Sequence, residues 1–564
     1  VKTEMPMAPK YYPEDLLTVY QNSFRNYWAL PALTEYGSQE ILTYGEFARR
    51  IARIHIFYQQ MGLRRGDKVA LLGRNSATWV TFFMATITYG ATIVPILSDF
   101  NANDSQHIIN HSEATLLIVA NSIWETLDYE QLPMVRAVLS LDTRLVLAER
   151  PREGHPTAEK AIRNLTRRFR AVYRNGFGPE NICYEPTDKD AMAILNYTSG
   201  TTGFSKGVML TYDNVAGNVM YGVESKLHYE GSRALSFLPL AHAYGCAFDM
   251  LVPLATGSFV TIFGKTPTPV LLMKALSQVR PNLVVCVPLI LEKIYRKMIV
   301  PMITRRAIRW ALAVPFVDSA IYAKIRNRLI DAFGGCFEQV IIGGAPLNSE
   351  VEEFLCKIKF PFTVGYGMTE CAPLISYTSW REFVPTSCGH VMPNMEVKIS
   401  GSSNPEEVPG EICTRGQNRM TGYYKNPDAT EAAIDTEGWL HTGDMGTVTD
   451  GTIFIRGRYK TMILSASGQN IYPEEIEAKL NNMPYVNESL IVERGKGLTA
   501  IVYPDYDRMD ADKIDINALM PLMETNRVEL NKLVAPYEKV DRIQLIPHEF
   551  EKTPKKSIKR YLYQ

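Results

Sequence analysis

The stretch YTSGTTGFSKGV, residues 197–208, gathers small hydroxyl residues and glycines around one lysine. Hydroxyls, a cation and backbone N–H groups that glycine brings close are the donors that hold phosphate groups. The apolar run AMAIL, residues 191–195, predicts a buried strand, so the stretch is expected at a strand's carboxyl end, where α/β proteins bind ligands. No GxxxxGK[ST] spacing occurs, which removes the support for a Walker-type site. A hydroxyl-rich surface loop is the alternative at this point.

Short apolar runs alternate with helical segments between residues 68 and 120. KVALLG and ATIVPI predict strands, and the segment between them predicts a helix capped by Ser76. The same rhythm recurs at 270–287 and 338–365. It predicts an α/β fold, with a large N-terminal domain of parallel sheets covered by helices.

From about residue 396 the pattern changes to short strands with tight turns, as at Asp450-Gly451, and predicts a small β-barrel-like subdomain or sheet. A helix from Pro473, a hairpin through 495–497 and a long helix from about 512 then predict a small α+β domain. The predicted division is 1–457 for the large domain, 458–460 for a hinge and 461–564 for the small domain.

The composition of the chain limits the classes of binding partner and the cellular compartment. The 564 residues carry 60 Lys and Arg against 60 Asp and Glu, so no overall field favours nucleic acid, and no nucleic-acid partner is predicted. Eight scattered cysteines without a CxxC pair indicate neither a zinc site nor a disulfide framework, and fit a reducing compartment. No signal-peptide pattern or apolar run of spanning length is present, so the chain is expected to be cytoplasmic.

Seven stretches match, in order, the motifs of the adenylate-forming (ANL) superfamily, which includes acyl-CoA ligases, luciferases and peptide-synthetase adenylation domains. YTSGTTGFSKGV resembles the signature loop, with Ser205 where the family commonly has proline and with Lys206 in register. The wider GYGMTECAPLIS and the ending are most similar to long-chain fatty-acid-CoA ligases. The other stretches are LPLAHAYG (238–245), GGAPL (343–347), GYGMTE (365–370), GEICTRGQNRMTGYYKNPDAT (410–430), HTGD (441–444) and GRYKTMILSASGQNIYPEEIE (457–477).

The resemblance implies two reactions. A carboxylate attacks the α-phosphorus of ATP to give acyl-adenylate and pyrophosphate, and the thiol of coenzyme A then displaces AMP. The first 457 residues would be the AMP-binding domain, and the small domain would turn on Lys460 so that one face serves each step. The β- and γ-phosphates would be held by Lys206 with Thr198, Ser199, Gly200, Thr201, Thr202 and Gly203.

The same resemblance assigns roles to further residues. Glu370 would bind Mg²⁺, and Thr369 would face the α-phosphate. Asp444 would accept from the ribose hydroxyls, and Arg458 would reach ribose or phosphate. Adenine would lie against Gly344, Ala345 and the ring of Tyr366, and the next residues, Gly367 and Met368, would belong to the same nucleotide site. Gly468 and Gln469 would line the coenzyme A channel.

His242 would sit beside the acyl carboxylate, where a neutral imidazole can donate a hydrogen bond. Each of these residues also has an ordinary structural reading. Glu370 could be a surface acid, Asp444 a turn residue, Arg458 an exposed arginine and His242 a packing residue.

The C-terminal lysine of the family is displaced in this chain. Long-chain ligases end in a TPxxKxKR-like pattern, whereas this chain has KTPKKSIKR at 552–560, with Ser557 at the lysine position and Lys556 one residue earlier. Lys556 is predicted to substitute as the catalytic lysine by a shift of the terminal segment. The alternative is a solvated basic tail, with adenylation slower by about a hundredfold.

The predicted function is an ATP- and Mg²⁺-dependent ligase that converts a medium- or long-chain fatty acid to its coenzyme A thioester. Two alternatives stay open: a ligase that loads an acyl carrier protein, and a protein that binds fatty acid or adenylate without turnover. Segment 292–329 mixes basic residues with Trp310 and aliphatics. It predicts an amphipathic helix packed on its own domain, with peripheral contact to the inner membrane face as the alternative.

Overall fold

The computed structural model describes residues 9–198, 205–303, 308, 317–464, 470–495, 497–553 and 558–563, without the side chains of Val317, Lys460 and Asn470. Several residues with predicted roles lie outside the described residues. These are Ser199, Gly200, Thr201, Thr202, Gly203, Gly468, Gln469 and Lys556.

The largest sheet has eight strands and a parallel centre, as the βαβ rhythm predicted. Strand Thr92–Ile96 runs parallel to Lys68–Leu72 and is buried at every position. Its side chains are mostly apolar because helices cover both faces of a parallel sheet. Antiparallel strands complete both sides. Across the sheet the strands are Gly422–Tyr423, Lys206–Thr211, Met192–Thr198, Thr92–Ile96, Lys68–Leu72, Leu116–Val119, Ala137–Ser140 and Val146–Glu149.

Helices pack on and beside this sheet, and capping residues next to them determine where they begin and end. Helix Ala77–Tyr89 begins where the Ser76 hydroxyl accepts from the N–H of Trp79, which confirms the predicted cap, and it ends at Gly90 with φ +84°. The helices of this part are Leu16–Asn26, Tyr44–Gln60, Ala77–Tyr89, Ala102–Ser112, Asn121–Trp124, Ala158–Val172 and Tyr212–Glu224.

Two further sheets complete the large α/β body. One contains Arg233–Ser236, Phe259–Ile262, Pro31–Glu35 and Ile41–Thr43. The other is parallel and contains Leu283–Cys286, Gln339–Ile342 and Phe362–Val364, and a short pair joins Tyr366–Gly367 to Leu374–Ser376. Their helices are Ala243–Cys246, Val252–Ala255, Pro269–Val279, Pro288–Ile294, Val300–Ile303, Val317–Ala332 and Ser349–Lys357, with π-helical turns at Ala247–Leu251 and Tyr295–Ile299.

Residues 395–458 contain an open antiparallel sheet, in keeping with the predicted short strands and tight turns. Its four strands lie in the order Met395–Ser400, Gly410–Gly416, Leu440–Thr449 and Thr452–Arg458, and helix Pro427–Ala433 lies between two of them in sequence. The last two strands are joined by Asp450 and Gly451 with φ of +47° and +74°. Positive φ at both turn residues matches the twist of a tight hairpin, so this predicted turn is confirmed.

The last hundred residues contain the predicted helix Pro473–Leu480 and the hairpin Val486–Arg494 with Gly497–Pro504, which strand Val540–Leu545 extends. The long helix spans Leu519–Leu533, so its predicted start near 512 was wrong. A shorter helix, Tyr506–Asp512, ends there because Lys513 adopts a left-handed conformation with φ +55°. A short pair joins Ile463–Leu464 to Asn470–Ile471.

Buried apolar side chains form separate clusters in the two parts of the chain. The large cluster runs from Leu16 to Ile453, and a second runs from Ile471 to Ile543. Between them lies the 3₁₀ turn Tyr459–Thr461. This separation supports the predicted boundary at 458–460, which stays a prediction.

Segment 292–329 is helical where it is described, in Pro288–Ile294, Tyr295–Ile299, Val300–Ile303 and Val317–Ala332. Ile294, Tyr295 and Ile299 are buried in the large cluster, in keeping with a helix packed on its own domain. Among the helices of the described residues, none combines the length and apolarity needed to span a bilayer.

Arg560 ties the end of the chain to helix Pro473–Leu480. Its Nη1 donates to Glu477 Oε2 at 2.9 Å and its Nη2 to Oε1 at 2.7 Å, a two-pronged contact with a buried carboxylate. Burial raises the pKa of Glu477, and Arg560 opposes that rise. Because Lys552 and Ile558 also pair across a bridge, the chain is held on both sides of Lys556.

Replacing Glu477 with alanine should destabilise the C-terminal part by about 3 kcal/mol, the lower end of the cost of breaking a buried ion pair. The largely buried Arg560 guanidinium would lose its two-pronged partner and keep only Ile491 O at 3.2 Å and the more distant Glu474. Urea unfolding of the full chain measures this as a fall in the midpoint of the transition of that part. Glu493→Ala is the matched control, because Glu493 is an exposed glutamate of the same part. Equal midpoints for the two variants would show that the ion pair contributes nothing to folding.

Candidate active site

One cavity is lined by residues from three of the predicted motifs. It measures about 40 Å³ and lies where the 238–245, 343–347 and 365–370 stretches meet. His242 precedes the short helix Ala243–Cys246, and Gly344 follows strand Gln339–Ile342. The predicted site residues on its wall are His242, Gly344, Tyr366, Gly367, Met368 and Thr369.

Glycines let the backbone form part of this wall. A Cβ on Gly343 would lie 3.0 Å from Cζ of Tyr244, and a Cβ on Gly367 would lie 2.2 Å from the carbonyl oxygen of Pro373. Gly344 has φ +84°, which L side chains rarely adopt. Gly343 and Gly367 are therefore required by close contacts, and Gly344 by its backbone conformation.

The loop that carries His242 is fixed by two asparagines that the sequence did not single out. The Asn75 amide donates to Leu238 O at 2.7 Å and accepts from the N–H of Leu240 at 2.9 Å. Asn196 Nδ2 donates to Ala241 O at 3.1 Å. Isolated asparagines carry no motif, so only their three-dimensional contacts reveal this role.

His242 itself has a defined ring orientation. Its Nδ1 accepts from the N–H of Tyr244 at 3.3 Å. The neutral ring that makes this contact carries its proton on Nε2. The imidazole therefore has a donor on the nitrogen remote from the helix start.

Asp444 is connected to the cavity through Tyr366. The Tyr366 hydroxyl donates to Asp444 Oδ2 at 2.8 Å, and Arg458 Nε lies 3.2 Å from Oδ1. The strands set this geometry, since Asp444 and Arg458 are directly opposite in the ladder. Burial raises the pKa of Asp444, while Arg458 and Tyr366 favour its ionised form.

Glu370 and Lys206 are connected through Tyr423, a residue of the 410–430 stretch to which the sequence alone assigns no role. Glu370 is buried in the turn Thr369–Cys371, and its Oε1 accepts from the Tyr423 hydroxyl at 2.9 Å. The Lys206 ammonium lies 4.8 Å from the centre of the Tyr423 ring. Lys206 stands opposite Thr198 in the ladder, at the end of the strand pair from which the 199–204 stretch leaves.

The remaining predicted residues lie at the margins of this arrangement. Ala345 is exposed beside Gly344, and the Arg458 side chain is 68% exposed where the antiparallel sheet ends. Lys460 lies in the 3₁₀ turn Tyr459–Thr461. The described residues thus bring eight predicted positions into one chain of contacts through Tyr366 and the 366–370 segment, namely His242, Gly344, Tyr366, Gly367, Met368, Thr369, Glu370 and Asp444.

Comparison with known proteins gives a family match over most of the chain. A family model described as AMP-binding enzyme matches residues 20–424. The chain is 27% identical over 488 residues to "Long-chain-fatty-acid--CoA ligase ACSBG1" of Rattus norvegicus, a match that covers 79% of this chain and 64% of the rat protein. It is 29% identical over 474 residues to "Putative acyl-CoA synthetase YngI" of Bacillus subtilis (strain 168), covering 80% of this chain and 79% of that protein.

The fold also matches solved structures. The O-succinylbenzoate coenzyme A synthetase MenE from Bacillus subtilis, in complex with ATP and magnesium ion, superposes with a TM-score of 0.71 at 20% identity. The match covers 97% of this chain and 98% of that one. The mixed α/β architecture is therefore that of known adenylating enzymes.

Proposed function

This chain belongs to the AMP-binding enzyme family, and from that premise we propose that it is an ATP- and Mg²⁺-dependent ligase for a medium- or long-chain fatty acid, with coenzyme A as the acceptor. The observation that carries the proposal is the shared cavity, where His242, Gly344 and Tyr366 come from three separate motifs yet line one wall. The names of the rat and Bacillus relatives support an acyl substrate.

Adenylation is favoured by charge stabilisation at the leaving pyrophosphate. Lys206 and Thr198 flank the 199–204 stretch, so a cation and a hydroxyl stand at the base of the proposed phosphate loop. Donors fixed before the reaction stabilise developing charge without having to reorganise. Thr369, buried beside Glu370 and on the cavity wall, is proposed to contact the α-phosphate.

Glu370 is proposed to hold Mg²⁺. A carboxylate is the hard oxygen ligand that this ion prefers, and the Tyr423 hydroxyl on Oε1 fixes its orientation. The ion would supply positive charge to the phosphate oxygens. The Lys206 ammonium, 4.8 Å from the centre of the Tyr423 ring, would add a second positive charge near the phosphate oxygens.

Asp444 is proposed to accept from both ribose hydroxyls. Asp444→Asn should raise the Kd for ATP about tenfold, the loss of a hydrogen bond to a charged acceptor. Burial raises the pKa of Asp444, so lowering the pH should protonate wild type above the usual range for aspartate and weaken ATP binding, whereas the variant should not respond. Calorimetric titration with ATP across pH tests both effects.

The control for this prediction is Asp450→Asn, since Asp450 is the exposed turn residue of the hairpin that also carries Asp444, and asparagine tolerates its φ of +47°. It should bind ATP like wild type. An Asp444→Asn variant with wild-type affinity at every pH would remove the ribose assignment.

His242 is proposed to orient the acyl carboxylate with its Nε2–H. The cavity continues from His242 to Tyr244 and Phe248, so the apolar part of the acid would lie against aromatic rings. After adenylation, rotation at Lys460 would bring Gly468 and Gln469 to the coenzyme A channel. The separate apolar clusters on either side of this turn support such a rotation, because neither core has to open.

The acceptor is tested with an acid panel from acetate to palmitate, with and without coenzyme A, in which AMP release and thioester are measured separately. A coenzyme A ligase should form thioester with the longer acids. ATP–pyrophosphate exchange without thioester would instead favour transfer to an acyl carrier protein. Binding of the acid with neither exchange nor AMP release would identify a protein that holds fatty acid or adenylate without turnover. Peripheral membrane contact through 292–329 stays a secondary proposal.

A further inference from the structure

Three side chains with metal-binding chemistry lie on one face of the antiparallel sheet. Cys413 stands directly opposite His441 in the ladder between Gly410–Gly416 and Leu440–Thr449. Glu411 precedes Cys413 by two residues, and a strand repeats its facing every two residues, so both point to the same face. Spacing along the sequence conceals this grouping, since His441 is 28 residues from Cys413.

The distances between the potential ligand atoms are short. His441 Nδ1 lies 2.7 Å from Glu411 Oε2 and 3.5 Å from Cys413 Sγ, and the ligand atoms of all three residues lie within 4.8 Å of one another. Atoms that share a tetrahedral ion with bonds of about 2.0–2.3 Å stand roughly 3–4 Å apart. Small side-chain shifts would therefore let these three atoms contact one ion.

The surroundings suit a cation held by a neutral imidazole. His441 Nε2 lies 3.7 Å from Asp435 Oδ2, so a carboxylate faces the nitrogen that does not face the cluster. Metal-binding histidines commonly present their second nitrogen to such a group, which fixes the ring. Asp435 is itself held, because its Oδ1 accepts from the N–H groups of Glu437 and Trp439 at 3.0 and 2.8 Å.

We propose that Glu411, Cys413 and His441 form a binding site for a thiophilic divalent cation such as Zn²⁺, with Asp435 as the residue that orients His441. A thiolate, an imidazole and a carboxylate are the donor set that Zn²⁺ accepts, whereas Mg²⁺ prefers oxygen alone. Binding would displace the thiol proton of Cys413 to solvent, and water would complete a tetrahedral set of ligands. Glu411 and His441 are partly exposed, which leaves a path for the ion.

The site adjoins the proposed nucleotide site. Glu411 Oε1 accepts from the N–H of Gly443 at 3.1 Å, and Gly443 directly precedes Asp444. An ion on this face would thus be linked through Glu411 to the part of strand Leu440–Thr449 that carries Asp444. The inference itself rests on the cluster and does not depend on the proposed reaction.

Cobalt titration of the reduced, metal-free full chain tests the site. Co²⁺ bound to a thiolate gives charge-transfer absorption, which should saturate at one equivalent and disappear when Zn²⁺ is added. Cys413→Ser should abolish the band, and Cys183→Ser should keep it, because Cys183 is an exposed cysteine elsewhere. His441→Asn should weaken the affinity for Co²⁺ and provides a second variant if Cys413→Ser does not fold.

Asp435→Asn separates an orienting role from a structural one. The amide keeps the oxygen that accepts from Glu437 and Trp439, yet it loses the charge that faces His441 Nε2. The affinity for Co²⁺ should fall about 10–100-fold with an unchanged spectrum. Absence of the band in wild type, or a band that persists unchanged in Cys413→Ser, would overturn the proposal.

Discussion

Glu370→Gln is expected to slow acyl-adenylate formation by about 10²–10³-fold, as removal of one charge-stabilising group does in other sites of this type. Glutamine keeps an oxygen that can accept from the Tyr423 hydroxyl, so the local structure should survive. It lacks the negative charge that a hard cation requires. ATP–pyrophosphate exchange measured against Mg²⁺ concentration should show a higher half-saturating concentration as well as a lower rate.

Two further variants serve as controls for the Glu370→Gln result. Glu382→Gln changes an exposed glutamate in the same region and should leave exchange unchanged. Tyr423→Phe keeps the Glu370 charge and removes only its hydrogen-bond donor, so it should cost less than Glu370→Gln. If Glu370→Gln retained the Mg²⁺ dependence of wild type, the assignment of Glu370 as the metal ligand would be wrong.

Lys556→Ala is expected to lower ATP–pyrophosphate exchange by about a hundredfold. Arg560 is anchored to Glu477, and Lys552 pairs with Ile558, so the chain between 553 and 557 has fixed ends. A lysine at 556 would reach the reacting phosphate from this short connection in the first step. Formation of thioester from synthetic acyl-adenylate and coenzyme A should continue, because the second step would use the other face of the small domain.

Lys555→Ala is the matched control, an adjacent lysine of the same basic run. Ser557→Lys added to Lys556→Ala should restore exchange if the family position is the productive one. Brisk exchange in Lys556→Ala alone would mean that no lysine at 556 takes part. Exchange that is absent from wild type would instead favour a protein that binds without turnover.

Local features of the fold could be predicted because their causes are local. Ser76 caps its helix and Asp450-Gly451 turns its hairpin through contacts within a few residues. The start of the long C-terminal helix was missed because the left-handed Lys513 interrupts an otherwise helical pattern. Strand order in the eight-stranded sheet depends on pairings of distant segments, which no local pattern encodes.

In the candidate site, too, local features could be predicted and contacts between distant residues could not. Its motifs could be located because residue type and spacing are visible in the sequence. The hydrogen bond between Tyr423 and Glu370 joins residues 53 apart, and Asn75 reaches a loop 163 residues away. Such supporting contacts depend on tertiary structure, so they appear only when the chain is folded.

The small cavity has a consequence for the acids that can enter it. A volume of about 40 Å³ is far below the roughly 300–1,000 Å³ of a typical ligand pocket. A fatty acid would therefore have to enlarge the cavity, and we expect the Tyr244 ring on its wall, whose hydroxyl donates to Ile341 O at 3.2 Å, to shift and then to line the bound chain. The free-energy cost of moving the ring is the same for every acid, whereas each buried methylene stabilises the bound acid by about 0.8 kcal/mol. We therefore expect a threshold length of the acyl chain. Acids shorter than this leave the Tyr244 ring in place, and the fraction of protein with bound acid rises steeply for longer acids.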